Sequence, residues 1–444
     1  MSHKSYVWIL LAVGLLTHFL FFGHPDQTVF DEVHFGKFLS AYYTHEYYYD
    51  IHPPLGKLMI AGFGSFFGYH PDFAFGQIGD KFPNKTYLAL RFLPSLAGSL
   101  LPLVIYLFAL RLGLKPISSF FAGIFIALDN AFLTQSRLIL MDGFLYLFGF
   151  LSLLFYFRYR QRAGKERVNL ICFSIFAAFA ASIKWTGLTF LALAGLVELY
   201  DFARSRNWNV KKLSKLVVFF AIIPFAIYFS VFAIHFSLLK KAGSGDAFMD
   251  VRFQKTLEEN YNQSNESIKP MGIIGKFVDL NKQMYLGNKR LTATHPYGSK
   301  WYTWPFMSRP IYYWVSGNAR IYYFGNPIVW WTSTIAMLML LVGYITTKSD
   351  RGFLTTFLIG AYALNLLPFI GIERVMFLYH YAVALIFAIL MLAYLIDKNQ
   401  KPKRLLITLI ALAAISFIFF SPLSYGLSLS PDQYNLRTWF DSWI

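Results

Sequence analysis

Apolar runs long enough to cross a bilayer alternate with short basic segments along most of this chain. The runs fall near 6–22, 88–110, 117–134, 138–157, 168–183, 185–202, 214–237, 327–346, 353–370, 375–396 and 405–421. A crossing takes about 20 apolar residues, and a helix satisfies its own backbone hydrogen bonds in lipid. The pattern therefore predicts a polytopic all-α membrane protein with about 11 transmembrane helices. Basic residues concentrate in alternate connections: Arg111 with Lys115, Arg158 to Arg167, Arg204 to Lys215 (Arg206 included), Lys348 with Arg351, and Lys398 to Arg404 (Lys401 included). Counted from a cytoplasmic start at Lys4, all of these connections lie on one side, as the positive-inside rule requires. The N-terminus is then cytoplasmic and the C-terminus outside. The first run, Tyr6–Phe22, lacks a small-residue cleavage site before His24-Pro25-Asp26 and reads as a retained span.

Two segments on the opposite, extracytoplasmic face are long: 23–87 and 238–326. Loops of that length usually carry function. The first holds two amphipathic stretches, Asp31–Tyr43 and Pro54–Phe67, split by Asp50-Ile51-His52-Pro53-Pro54. They are expected as helices along the membrane surface, and proline at a helix start costs little because its missing N–H would be unpaired there. The organisation read from the chain is an N-terminal membrane module, 1–237, containing the outer loop 23–87; a second outer loop, 238–326; and a C-terminal membrane module, 327–444. The aromatic residues at 301–304 and 312–314 read as packing and interface anchors.

Composition narrows the class. Of 444 residues, 56% are hydrophobic, 20% aromatic and 14% charged, against roughly 25% charged in soluble domains. A soluble protein is excluded. The formal net charge of +17 could suggest nucleic acid, but the cations sit in short inter-span loops, so no nucleic-acid partner is expected and membrane lipid is. A single cysteine, Cys172, leaves no disulfide framework or thiolate cluster. No HExxH or DxD-like pair points to a metal or other cofactor.

Ionisable residues near a bilayer are costly and mark candidate sites. The outer ends of the spans hold Asp31, Glu32, Asp50, His52, Arg91, Arg137, Asp142, Lys184, Arg374 and His380. Folding the chain back and forth brings these to one face. Carboxylates beside cations suit a reaction that deprotonates a hydroxyl and releases a phosphate.

Phe30-Asp31-Glu32-Val33-His34-Phe35-Gly36-Lys37, followed by Asp50-Ile51-His52-Pro53-Pro54-Leu55-Gly56-Lys57, resembles the first outer loop of the protein O-mannosyltransferases. The resemblance continues through Gln135–Asp142, Ser182–Leu188, His295-Pro296-Tyr297 with Trp301–Pro305, and Phe377–Tyr381. It implies the C-type glycosyltransferase fold and transfer of mannose from a polyprenyl (dolichyl) phosphate to Ser or Thr hydroxyls of proteins outside the cytoplasm. By the same resemblance Asp31 matches the catalytic acid with Glu32 beside it, Asp50 and His52 match the second motif, and Arg91 falls where an arginine meets the lipid phosphate. Family members often pair, so a dimer is compatible. Eukaryotic members carry a β-trefoil MIR domain in the second large loop; 238–326 is too short for one, which points to a bacterial or archaeal member.

The residues allow an inverting displacement with Asp31 as base. Arg91 is then the first candidate for the departing phosphate, joined by His52, Arg137, Lys184 and Arg374, with Asp50, Asp142 and His380 in support; such a cation set could stand in for a metal. Two rivals are a related C-type transferase moving a sugar such as aminoarabinose to a glycolipid, and a transporter or lipid flippase.

Overall fold

The computed structural model describes residues 2–205, 210–290, 294–348, 351–399 and 402–443. Arg206 and Lys401 of the basic connections lie outside them. The first half of the chain runs through α1 (His3–Phe19), α2 (Glu32–Thr44), α3 (Leu55–Phe66), α4 (Tyr87–Arg111), α5 (Pro116–Ala127), α6 (Asn130–Ser136), α7 (Asp142–Arg160), α8 (Glu166–Ile183), α9 (Leu188–Ser205), α10 (Val210–Val217) and α11 (Ile223–Leu238). The second half contains α12 (Val251–Gln254), α13 (Ile273–Arg290), a hairpin of β1 (Ile311–Ser316) and β2 (Ala319–Tyr323), then α14 (Pro327–Thr346), α15 (Phe353–Leu366), α16 (Ala382–Lys398) and α17 (Pro402–Tyr425).

Eight described helices are long and apolar enough to cross a membrane, nine if α5 and α6 form one broken span. The protein is an integral membrane protein. Helices also stand at the first and fourth expected spans, but these fall outside that requirement. Helix α1 has only seventeen residues. Helix α7 begins at Asp142 and carries Arg158 and Arg160. Its first half is wholly buried among other helices, so little of it needs to suit lipid. Helices α2 and α3 fall where the amphipathic pattern put them.

The expected continuous span at 117–134 is broken. Helices α5 and α6 meet at 59°, and the buried Asp129 caps α6 by accepting from the N–H groups of Ala131 and Phe132. Its other oxygen accepts from the Asn326 N–H and the Trp330 indole, each at 2.9 Å. Asn326 donates in turn to the carbonyls of Leu128 and Ala413, both at 2.8 Å. Irregular backbone at membrane depth survives only where protein supplies such partners. After the break Gln135 lies against Tyr313 and Asp142 and Arg137 reaches the Phe21 carbonyl, before the chain turns into α7. Helix α1 packs very close to α4 beside this turn: a Cβ added at Gly14 would stand 2.2 Å from the Ser99 carbonyl oxygen, the kind of close approach that small residues permit between membrane helices.

The expectation of an all-α chain needs one amendment. Residues 311–323 form a two-stranded antiparallel hairpin with a Gly317-Asn318 turn, where Gly317 adopts φ +56, as tight hairpin turns demand. Tyr312 pairs with Tyr322 and Trp314 with Ile321, leaving Tyr313 as an extra residue in the ladder. A bulge of this kind redirects a side chain.

Candidate active site

A cavity of about 630 Å³ opens where α7 and α16 begin and α8, α13 and α15 end. Its polar wall contains His52, Asp142, Lys184, Arg374, Tyr379 and His380; its apolar wall contains Leu145, Trp185, Leu364, Phe369, Ile372 and Val383. Five of the expected site residues therefore share one hollow, although they come from four separate stretches of chain.

Asp142 is the first residue of α7 and Lys184 the residue ending α8. A carboxylate at a helix N-terminus and a cation at a C-terminus are each favoured by the helix dipole. They meet with Lys184 Nζ 2.8 and 2.9 Å from the two Asp142 oxygens. Asp142 also accepts from Gln135 Nε2 at 2.8 Å, so its position is set from two sides. His52 follows Asp50, which is ion-paired with the buried Lys57 and accepts the His52 N–H. Burial lowers the His52 imidazole to about 3 against the pull of Asp50; it faces the cavity as a neutral hydrogen-bonding group. His380 hydrogen-bonds the Phe377 backbone through Nδ1. Its ring is stacked against Trp304 and Tyr379.

Arg374 lies in the segment between α15 and α16 and lines the cavity. Among the described residues no acid pairs with it. Burial lowers its guanidinium, with Tyr379 opposing, but an arginine stays protonated at neutral pH.

Asp31 stands just before α2, with no capping bond from its carboxylate and no ion pair among the described residues. It does not itself wall the cavity, but it lies within electrostatic reach of Lys184, Asp142 and Asp50. Burial pushes its carboxyl up to about 7, Lys184 pulling down and the two neighbouring carboxylates pushing further up. A desolvated carboxyl free of partners is poised to exchange a proton.

Three expected site residues have other work. Arg91 is buried and spends its donors on Glu32 and on the carbonyls of Gly23, Pro25 and Gln27, leaving none for a phosphate. Glu32 is equally committed: beside Arg91 it accepts from the N–H groups of Val29 and Ile139, at 2.8 and 2.9 Å. It fixes the loop before Asp31 against the turn after α6. Arg137 donates to the carbonyls of Phe21 and Ser424 and lies over the Tyr425 ring. All three are structural, because packing supplies carbonyl and carboxylate partners before any ligand arrives.

Sequence reasoning missed Tyr379, Asn288 and Lys289, the last two brought to the cavity by α13. It also left Gln135 without a role, although the residue stood in a quoted motif seven positions before the carboxylate it contacts.

The chain matches two family descriptions: "Dolichyl-phosphate-mannose-protein mannosyltransferase" over residues 8–240, and the C-terminal four-transmembrane region of protein-O-mannosyltransferase over 273–443. The chain belongs to the protein O-mannosyltransferase family. Protein O-mannosyltransferase 1 of Drosophila pseudoobscura pseudoobscura is 36% identical over 270 residues, 58% of this chain and 30% of the relative. Dolichyl-phosphate-mannose–protein mannosyltransferase 1 of Saccharomyces cerevisiae is 23% identical over an alignment covering 94% of this chain and 80% of its own length. This family member spans only 30% to 35% of the length of the Drosophila relatives and of one from Candida albicans. Its fold is that of the S. cerevisiae Pmt1–Pmt2 complex solved with the sugar donor bound, at a TM-score of 0.91 and 21% identity, covering 100% of this chain and 93% of that one. The undecaprenyl-phosphate-bound ArnT of Cupriavidus metallidurans shares the C-type architecture at a TM-score of 0.57 and 13% identity, covering 96% and 77% of the two chains.

Proposed function

We propose that this chain transfers mannose from a polyprenyl-phosphate mannose donor to Ser or Thr hydroxyls of proteins, on the extracytoplasmic face, with its N-terminus in the cytoplasm. The observation that carries the reading is the Asp31 carboxyl, without an ion pair among the described residues, beside a cavity lined by Arg374, which pairs with no described acid. Family membership supports the reaction class, as does the name shared by the relatives.

Asp31 accepts the acceptor's proton while the hydroxyl oxygen forms a bond to the anomeric carbon. The bond from that carbon to the phosphate oxygen breaks, and the polyprenyl phosphate departs with its electron pair. A carboxyl raised by burial is a better base than one in water. Arg374 offers a planar fork to the phosphate oxygens, while Lys184, His380 and the neutral His52 line the same wall. Direct displacement inverts the anomeric centre, so a β-linked donor gives an α-mannoside. The apolar wall from α7, α15 and α16 suits the first isoprenes of the lipid. Pairing with a second O-mannosyltransferase chain is part of the proposal, by likeness to the relative solved as a complex.

The test is incubation of the detergent-purified chain with polyprenyl-phosphate mannose and a Ser/Thr peptide. One hexose of added mass on the peptide is expected. Hexose found on a glycolipid and never on peptide would overturn the reading.

A further inference from the structure

Behind the Lys184–Asp142 pair runs a line of contacts to the second outer loop. The Tyr313 hydroxyl donates to Gln135 Oε1 at 2.5 Å, and Gln135 donates through Nε2 to Asp142 at 2.8 Å. Asp142 holds Lys184. Tyr313 reaches Gln135 because the bulge makes it the extra residue of its strand. Its other face is stacked on Phe30, with centroids 3.9 Å apart and planes 6° from parallel. Its carbonyl accepts the Phe30 N–H at 3.2 Å. Phe30 is the residue before Asp31 and holds a φ of +47, a conformation uncommon for a side-chain-bearing residue.

From these contacts we infer that Tyr313 is a positioning residue: one bulged tyrosine sets Asp31 through Phe30 and Lys184 through Gln135 and Asp142, fixing the spacing between base and cation. This rests on the proposed transfer reaction. The phenol is buried, and an amide has two ends. With the hydroxyl on Oε1, the Gln135 side chain can present only its NH₂ to Asp142. Without it, the amide keeps only one of the two contacts that hold it and can swing away from the carboxylate. Asp142 then loses a donor, and the Lys184 ammonium loses its fixed seat. Such an arrangement makes donor engagement depend on a hairpin more than a hundred residues distant in sequence from either charge it sets.

Tyr313→Phe tests this while keeping the ring on Phe30. Loss of a hydrogen bond to a charged network corresponds to about a tenfold or greater effect, expected as a rise in donor KM. The acid limb of the rate against pH is expected to move upward, since Lys184 holds the Asp31 carboxyl down. Trp314→Phe is the control: the Trp314 indole donates to Gln27 Oε1 at 2.8 Å and ties the same hairpin to the same loop without touching the line to Lys184. A rise in donor KM confined to Tyr313→Phe supports the inference; no rise, or equal rises in both variants, overturns it. If Tyr313→Phe does not fold, Gln135→Met takes its place with the same two outcomes. Absence of hexose transfer by the unaltered protein counts against the transfer reading itself, whereas normal transfer with an unmoved donor KM counts against Tyr313 alone.

Discussion

Glu32 and Arg91 meet as a fully buried, two-pronged pair, with Nε 2.8 Å from Oε1 and Nη2 2.6 Å from Oε2. Three loop carbonyls and two backbone N–H groups complete the cluster. The pair anchors the loop that delivers Asp31, so two residues expected at the chemistry hold its frame instead.

Removing one partner leaves the other charged and buried, which costs about 3–5 kcal/mol. Arg91→Ala and Glu32→Ala are therefore expected to lower the thermal unfolding midpoint sharply in detergent. If Arg91 met the phosphate directly, Arg91→Ala would instead keep its midpoint and raise donor KM.

Asp31→Asn keeps shape and removes the base. Hexose transfer is expected to fall about 10²–10⁴-fold, the usual worth of a general base, while thermal stabilisation by the bound donor persists. Transfer at more than a tenth of the unaltered rate would remove Asp31 from the base position.

The rate should depend on pH through the same group. The ionised carboxyl is the active form and its value is about 7, so kcat/KM is expected to fall about tenfold per pH unit below that point. Stability runs the other way. The folded value is raised above the ordinary 3.8, so the contribution of the protonated acid is complete below the unfolded value and is lost as pH rises through about 7. Asp31→Asn is expected to unfold at a higher temperature than the unaltered chain at pH 8, with the gap closing toward pH 4. A gap that widens on acidification contradicts the desolvated state of this carboxyl.

Arg374→Ala should raise donor KM about tenfold or more, since a charge-assisted bond to phosphate is lost. Arg374→Lys should recover part of it, lacking the planar fork. The unfolding midpoint of the donor-free protein is expected to stay close to that of the unaltered chain, because Arg374 has no acid partner among the described residues to strand. A large drop would show a structural duty instead.

The periodicity of apolar runs was enough to announce a polytopic membrane protein, and the Asp31 and His52 motifs were enough to announce its family. Amphipathic spacing also located α2 and α3, since burial of one helix face leaves a mark in local sequence. Which cation is free could not be read this way. Arg91 and Arg374 look alike along the chain, yet Arg91 is claimed by Glu32 and three carbonyls while Arg374 has no acid partner among the described residues. Partnership depends on which distant backbone groups packing leaves unsatisfied nearby, and that is settled between helices rather than within them. The same holds for Tyr313. Only the bulge in the hairpin, and the break that turns Gln135 inward, bring a tyrosine from the second loop to the charges at the ends of α7 and α8.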